Sequence, residues 1–268
     1  MSGHDLTLPE RVTQHDPISI FEVGSTAHGI STGSDDLDLV AIVYDPWDSL
    51  HGLGSFGTSV YRTAAERTGN DDARSEPGDV DLVVHGLRKF CTLALKGNPS
   101  MMMLFWQEPI WSDEWMGPLP LWAFQSKRVI RAHIGYLTEQ RERMMGRRGQ
   151  KNVKRPELVE RYGFDTKYAG HIVRLGIQGV EYGLSGRISV PMSRTNADIV
   201  RAVRNGHMAL SEVERYATNV IAELETILHD NPLNLPERPD QQVVSKWLQA
   251  VYGRRLIHQI QEARLYTG

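Results

Sequence analysis

The sequence predicts an α+β fold in which a domain of strands and helices is followed by an all-helical domain. Short runs rich in β-forming residues occur only before about residue 112. Helical periodicity dominates after that point. Hydrophobic residues make up 40% and charged residues 24% of the 268 residues, which is typical of a globular protein with its own core. The boundary between the two parts is expected near residues 112–125.

Three strands are predicted in the first part. Residues 18–23 and 37–44 are rich in β-branched and apolar side chains, and Asp45-Pro46 ends the second run. Residues 79–84 form the third strand. The polar stretch 45–78 carries five glycines, which predicts a long, mobile excursion with little regular structure.

Helices are predicted wherever apolar residues recur every three or four positions. Val213, Ala217, Val220 and Leu224, for example, form one such stripe. The predicted helices cover residues 86–96, a short segment from Pro99, and residues 126–145, 165–184, 211–230 and 243–263.

Composition excludes several classes of protein. A single cysteine, Cys91, cannot form an internal disulfide or a cysteine-rich zinc site. No apolar run approaches the ~20 residues that cross a bilayer, and residues 1–10 lack the apolar core of a signal peptide. We therefore expect a cytoplasmic protein without a membrane partner.

Charge is distributed unevenly along the chain. Residues 1–80 hold 14 acidic and 4 basic side chains, whereas residues 126–175 hold 5 acidic and 13 basic ones. This pattern suits a site with cations on one wall and phosphates on the other. Two solvated faces of opposite charge would give the same pattern.

Three aspartates are candidate metal ligands. Asp36 and Asp38 lie two residues apart at the head of a strand, so their side chains point to the same face. Asp81 lies on another strand between apolar residues, although Asp79 competes for that role. Two like charges so close together repel unless a cation separates them, and Mg²⁺ or Mn²⁺ prefers oxygen ligands.

Gly24 and Ser25 follow the first predicted strand. A glycine there lets the backbone approach a phosphate, and the serine hydroxyl can donate to it. An isolated Asp-x-Asp is usually a solvated strand end. The ordered combination of Gly-Ser, Asp36-Leu37-Asp38 and a later aspartate is much more specific.

These motifs resemble the active-site pattern of the DNA polymerase beta-like nucleotidyltransferase superfamily. The order of further segments resembles its predicted nucleotidyltransferase branch, the RNA repair pathway DNA polymerase beta family. The segments that carry the resemblance are Asp81 with Leu87-Arg88-Lys89-Phe90, and residues 95–99, 126–128 and 165–174.

This resemblance implies transfer of a nucleoside monophosphate from an NTP to an acceptor hydroxyl, with pyrophosphate released and two metals involved. It implies a small mixed β-sheet flanked by helices in residues 1–115. A helical domain in residues 116–268 would complete the nucleotide cleft. The chain departs from the family at Thr26, where arginine is frequent, and at Asp35, where serine is usual. The spacing to Arg88-Lys89-Phe90 favours Asp81 over Asp79 as the third ligand.

Lys167, His171, Arg174 and Gln178 form one stripe of a predicted helix because they lie three or four residues apart. A stripe that faces away from the core suits triphosphate binding, but it is also typical of a solvated helix face. The resemblance implies that Lys167 and His171 line the cleft. Arg88 is a further phosphate-binding candidate, or it pairs with nearby acids.

The acceptor stays open at this point. The family favours an RNA or tRNA end, for which the basic segment 147–155 has suitable charge but no aromatic side chain for base stacking. A solvated loop would look the same. A protein hydroxyl and a small molecule are alternative acceptors. A regulatory module that binds nucleotide without turnover and a plain RNA-binding protein are alternative functions.

Overall fold

A computed structural model describes residue 12 and residues 14–31, 36–113, 119–145 and 155–266, with side chains described as far as residue 261. Asp35 and residues 147–154 of the basic segment lie outside this part. The strands are β1 Pro17–Glu22, β2 Leu37–Val43, β3 Thr58–Arg62, β4 Val80–Gly86 and β5 Trp111–Ser112.

The strands form one mixed sheet in the order β3-β4-β2-β1-β5. β2 and β4 are parallel neighbours, with Asp38 paired to Asp81 and Val40 to Val83. The other neighbouring strands are antiparallel. The central strands have buried apolar faces, which explains why β2 and β4 read as nearly continuous apolar runs.

Short helices surround the sheet, and long ones follow it. In the first part they are α1 Gly24–Ala27, α2 Trp47–His51, α3 Thr63–Thr68, α4 Leu87–Leu95 and α5 Pro99–Met103. The later helices are α6 Leu121–Phe124, α7 Lys127–Met144, α8 Pro156–Tyr162, α9 Thr166–Ser185, α10 Arg194–Arg204, α11 Leu210–Asp230 and α12 Gln241–Tyr266. No described helix is both long enough and apolar enough to cross a bilayer.

Helix α9 is the central element of the second part. Asp165 caps it by accepting hydrogen bonds from the backbone N–H groups of Lys167 (3.0 Å) and Tyr168 (3.3 Å). Gly186 ends it in the left-handed conformation. Glycines within α9 let neighbouring helices approach, since a Cβ at Gly179 would lie 3.0 Å from the Cβ of His133 on α7.

The hydrophobic core continues across the proposed domain boundary. One cluster of buried side chains includes Ile18 and Ile42 of the sheet together with Phe124, Ile130 and Tyr182 from the helical part. A second cluster lies among the helices, and a third covers the other sheet face. The division at residue 115 stays a prediction, and the two parts share one apolar interior.

The prediction of little regular structure in residues 45–78 is wrong. This stretch forms α2, β3 and α3 before it reaches β4. β3 is an edge strand whose residues are exposed or partly exposed, so it lacks the alternation that identifies a half-buried strand. β3 is held as a strand by its pairing with β4, which its own sequence does not indicate.

Candidate active site

Three aspartates converge where the interior strands β2 and β4 begin. Parallel pairing of β2 with β4 places Asp38 beside Asp81, and Asp36 immediately precedes β2. One carboxylate oxygen from each residue lies within 4.8 Å of the others. All three side chains are partly exposed. Such close like charges repel one another, so the arrangement favours a cation between them.

Gly24 lies directly against this cluster. It has a φ of +68°, and a Cβ at this position would overlap the carboxylate of Asp38. The backbone N–H of Val23 donates to the Asp38 carbonyl at 2.8 Å, which fixes the strand behind the carboxylate. A glycine is therefore required here by the Asp38 side chain as well as by the backbone conformation.

Asp81 also receives hydrogen bonds from two side chains that the sequence did not single out. Nε of Arg62 lies 3.3 Å from each carboxylate oxygen. Oγ of Ser75 lies 2.9 and 3.0 Å from the same two oxygens. Nη1 of Arg62 donates to the Asp71 carbonyl at 2.8 Å and Nη2 donates to Oγ of Ser75 at 2.9 Å, so the arginine ties residues 71–75 to the site.

Asp79 is separate from the metal-ligand cluster. Its carboxylate accepts from the backbone N–H of Glu76 (2.8 Å), from Arg67 (2.9 Å) and from Thr63 (3.0 Å). The Glu76 and Arg67 hydrogen bonds hold the pKa of Asp79 below its usual value. Asp79 thus stabilises the turn before β4, and Asp81 is the aspartate that joins Asp36 and Asp38.

A cavity of about 1050 Å³ opens above the aspartates. Its acidic wall contains the three aspartates, and residues 72–77 border it on one side. Its basic wall comes from the helical part. The lining residues of that wall are Arg155, Leu158, Thr166, Lys167, Arg201, Arg204 and Asn205. The opposed charges predicted from composition meet in this cavity.

Lys167 lines the cavity from the first turn of α9. The pKa of Lys167 is lowered mainly by burial and then by the positive charges of Arg155 and Arg204. The negative charges of Asp36 and Asp38 raise it. Lys167 is therefore within electrostatic range of the acidic cluster on one side and of two further cations on the other.

The rest of the predicted stripe does not face open solvent. Gln178 is buried, and its Nε2 lies 3.4 Å from Nδ1 of the buried His28. Arg174 donates to Oε1 of Gln178 at 2.9 Å. The expectation that this stripe faces away from the core is thus wrong for Gln178. His171 and Arg174 are partly buried and lie behind the cavity lining.

These groups form a buried basic network behind Lys167. Burial is the main reason why the pKa of Arg174 is lowered to about 10, and the positive charge of Arg204 is the second. Burial, followed by Arg174, holds the pKa values of His28 and His171 well below 6.5. Both histidines are therefore neutral at pH 7, and Arg174 is a cation held in a poorly solvated place.

The structure does not bring Arg88 to this site. Arg88 follows the end of β4 opposite to Asp81, and its side chain donates to the Ser49 carbonyl at 3.4 Å. Its backbone N–H donates to Asp45 at 3.0 Å. Ser25 lies in α1 beside Gly24, where its carbonyl accepts from the Ile30 N–H at 2.9 Å. Gly24 and Ser25 do not contribute to the cavity lining described above, although Gly24 adjoins Asp38.

Among the cavity residues that were missed in the sequence are Arg62, Ser75, Arg201 and Arg204. Arg201 donates to the Gly29 carbonyl at 2.6 Å and so connects α10 to the loop that follows α1. Helical spacing of Ala197, Val200 and Val203 is the signal that could have identified α10. No local pattern identifies Arg62 or Ser75, because strand pairing and a loop bring them to Asp81.

The donor set fits a hard divalent cation. Three carboxylates offer oxygen ligands only, and their mutual proximity leaves a concentration of negative charge that a cation would relieve. The chemistry of these ligands therefore suits Mg²⁺ or Mn²⁺ rather than a sulfur-seeking metal.

A comparison with protein families gave a match over most of the chain. The sequence profile of the RNA repair pathway DNA polymerase beta family matches residues 6–218. A comparison with curated proteins gave no match. A structural comparison gave similarity to the crystal structure of a nucleotidyltransferase-like protein from Exiguobacterium sibiricum 255-15, with 15% identity and a TM-score of 0.29. That match covers 89% of this chain and 74% of the other.

Proposed function

Since the chain belongs to the RNA repair pathway DNA polymerase beta family, we propose that it is a metal-dependent nucleotidyltransferase. It moves a nucleoside monophosphate from an NTP to an acceptor hydroxyl and releases pyrophosphate. The observation that carries this proposal is the convergence of Asp36, Asp38 and Asp81 opposite Lys167 in one cavity.

Asp36, Asp38 and Asp81 are the residues that would hold the metal ions. Divalent cations bound there would neutralise the charge of the triphosphate and lower the pKa of the acceptor hydroxyl. Gly24 keeps the Asp38 carboxylate in place because it has no side chain to displace it. Preorganised charge of this kind supplies most of the catalysis in phosphoryl transfer.

In the transfer step, the acceptor hydroxyl oxygen forms a bond to the α-phosphorus of the NTP. The bond between that phosphorus and the oxygen bridging to the β-phosphate breaks, and pyrophosphate leaves with the electron pair. Asp81 orients the hydroxyl and accepts its proton. Ser75 and Arg62 both donate to Asp81 in this structure, so a metal ion or the acceptor hydroxyl shares the Asp81 carboxylate with these two donors.

The nucleotide is held from both walls of the cavity. On the sheet side we assign backbone N–H groups and a hydroxyl to Gly24 and Ser25, which lie beside the acidic wall and are not part of the described lining. Lys167 offers a charge from the helical side, with His171 and Arg174 behind it. Arg88 has no part in this assignment, because it lies at the far end of β4.

We propose an RNA or tRNA end as the acceptor, in accordance with the family description. Arg155, the last residue of the basic segment, lines the cavity and donates to Asp165 at 2.8 Å. A nucleic-acid backbone that followed this segment would arrive at the active site. A protein hydroxyl and a small molecule remain the alternative acceptors.

Label transfer from each α-³²P-labelled NTP tests the activity. The purified chain, Mg²⁺ and cell extract should yield a labelled product with the wild type. Asp36→Ala plus Asp38→Ala should abolish labelling while the thermal melt stays within a few degrees, because the substitutions relieve repulsion. Glu223→Ala plus Glu225→Ala removes two exposed carboxylates of α11 and serves as the charge-matched control. Full labelling by the Asp36/Asp38 variant would exclude the proposal.

The same labelled material identifies the acceptor. Label that RNase releases indicates an RNA acceptor, and label that protease releases indicates a protein acceptor. Label that resists both and migrates as a small compound indicates a small-molecule acceptor. NTP binding without label transfer in any extract would instead indicate the non-catalytic regulatory module.

A further inference from the structure

Arg204 is a cation of the cavity that forms no ion pair with any carboxylate in the described part of the chain. It is the last residue of α10, it is partly buried, and it lines the cavity. Within the described part of the chain, no hydrogen bond or ion pair engages its guanidinium. The charge of Arg204 is therefore available to an anion that enters the cavity.

The other arginines of the cavity differ from Arg204 in this respect. Arg62 is bound to Asp81, Arg155 to Asp165, Arg201 to Asp198 and Arg74 to Glu157. Each of these four therefore has a structural role that accounts for its position. Arg204 has no such partner among the described residues, and neither has Lys167 on the adjacent helix.

Gly170 explains how Arg204 reaches this position. A Cβ at Gly170 would lie 2.5 Å from Cγ and 3.2 Å from Cδ of Arg204. The aliphatic part of Arg204 therefore crosses α9 where that helix has no side chain. This crossing is less than one turn from Lys167, and Lys167 is within electrostatic range of Arg204. The two cations thus stay close together despite their repulsion.

Thr166 provides an independent observation at the same place. Its side chain is fully buried and lines the cavity, yet its Oγ1 has no hydrogen-bond partner in the described structure. A buried hydroxyl without a partner is unusual and calls for a ligand or a water molecule. It lies in the first turn of α9, next to Lys167.

We propose that Arg204, together with Lys167 and Thr166, binds the terminal phosphate of the NTP and makes the site selective for triphosphates over diphosphates. The proposal rests on the proposed function. The α-phosphate would react at the aspartates, and Lys167 and Arg204 line the same cavity from the helical part. A phosphate chain that extended from the acidic cluster across this cavity would bring its last phosphate to the basic wall that contains Lys167 and Arg204.

A different explanation is that Arg204 only stabilises the C-terminal end of α10, where a cation interacts favourably with the helix dipole. That role predicts a loss of stability in an Arg204 variant without any loss of nucleotide affinity. Binding and thermal stability measured on the same variants distinguish the two roles.

Calorimetric titration with α,β-methylene NTPs and α,β-methylene NDPs in Mg²⁺ tests the proposal, because the methylene bridge blocks transfer. The base that the wild type binds most tightly is used throughout. Arg204→Gln should weaken triphosphate binding by about 10-fold or more, the loss expected for a charged hydrogen bond. Diphosphate binding should stay within about 2-fold, since it lacks the phosphate concerned.

Three further variants sharpen the result. Arg204→Lys keeps the charge and the stem over Gly170 but loses the bidentate geometry, so it should restore part of the affinity. Thr166→Val should weaken triphosphate binding while preserving shape. Arg194→Gln, an exposed arginine at the start of α10, is the matched control and should bind both analogues as the wild type does.

The outcomes distinguish a failure of the role proposed for Arg204 from a failure of the proposed nucleotidyltransferase activity. Two results overturn the assignment of the terminal phosphate. One is that Arg204→Gln binds each analogue as tightly as the wild type does, and the other is that it loses the same fold of affinity for the triphosphate and the diphosphate analogue. A lower melting temperature with unchanged affinity supports the helix-dipole role and also overturns it. If the wild type binds none of the analogues and transfers no label, the proposed function itself fails.

Discussion

Gly24 lies against the carboxylate of Asp38, and a Cβ at Gly24 would overlap that carboxylate. The contact joins the turn after β1 to the metal-ligand cluster on β2. It also gives a physical reason for the Gly-Ser motif that differs from the one based on sequence. The glycine is needed for close approach of an aspartate, in addition to any approach of a phosphate.

The substitution Gly24→Ala should therefore displace Asp38. We expect metal affinity and transfer activity to fall by about 10- to 100-fold, the range for disturbing groups that position metal ligands. The left-handed backbone conformation of Gly24 should also cost about 1–2 kcal/mol of stability. Mn²⁺ binding measured by electron paramagnetic resonance checks the first effect, and denaturant unfolding checks the second.

Gly69→Ala is the matched control for this prediction. Gly69 has the same φ of +68°, but no atom lies within 4 Å of a Cβ built there. It should show a similar loss of stability with unchanged metal binding. Equal Mn²⁺ affinities of the wild type and Gly24→Ala would contradict the positioning role of Gly24.

Removal of the Ser75 hydroxyl should strengthen metal binding. Oγ of Ser75 donates to both oxygens of Asp81, and a metal must compete for the same lone pairs. A hydrogen bond of this kind contributes about 0.5–1.5 kcal/mol, so Ser75→Ala should tighten Mn²⁺ binding about 2- to 10-fold. Ser49→Ala, which removes a hydroxyl bonded to the Pro46 carbonyl away from the cavity, is the control. Weaker binding by Ser75→Ala would show that Ser75 supports Asp81 as a ligand instead.

The sequence predicted the parts of the site that local patterns encode. The two strands β2 and β4 are apolar runs with aspartates at their N-terminal ends, so Asp36, Asp38 and a third aspartate could be proposed from the pattern. The choice of Asp81 over Asp79 came from the family resemblance. The helical pattern of α9 placed Lys167 on a polar stripe, but the family resemblance was needed to assign that residue to the cleft. These residues depend on secondary structure that their own segments specify.

The remaining site residues depend on contacts between distant segments. Arg62 lies on an edge strand that is ordered by pairing with β4, and Ser75 lies in a loop. Arg204 reaches the cavity only because α10 packs against Gly170 of α9. For Arg88, proximity along the chain to Asp81 was misleading, since β4 runs for seven residues between Val80 and Gly86 and carries the chain to its opposite end.

Loss of Arg88 should have little effect on nucleotide binding. Its side chain donates to the Ser49 carbonyl outside the cavity, so Arg88→Met should change affinity for an α,β-methylene NTP by less than about 2-fold. Lys167→Met, which removes a charge that lines the cavity, should reduce the same affinity by about 10-fold or more. Calorimetric titration of both variants checks the contrast. Equal losses of NTP affinity in the two variants would indicate that Arg88 binds phosphate after all.

His133 should make the protein sensitive to mild acid. It is fully buried in α7, where its Nδ1 donates to the Val129 carbonyl at 2.9 Å and its Nε2 has no described partner. Burial lowers the pKa of His133 to about 4. As the pH falls below 6.5, His133 binds a proton in the unfolded chain but stays neutral in the folded protein. The free energy of unfolding therefore decreases until the pH reaches about 4.

The expected loss from His133 over this range is roughly 3 kcal/mol, because each pH unit corresponds to about 1.4 kcal/mol for one proton. Buried His28 and partly buried His171, whose pKa values are also lowered, act in the same direction. Urea unfolding at pH 7 and pH 5 measures the effect. His133→Asn should reduce the difference between the two pH values, whereas exposed His207→Asn should leave it unchanged. An identical pH dependence in wild type and His133→Asn would show that His133 takes up its proton without cost, and would assign the acid sensitivity to the two histidines beside Arg174.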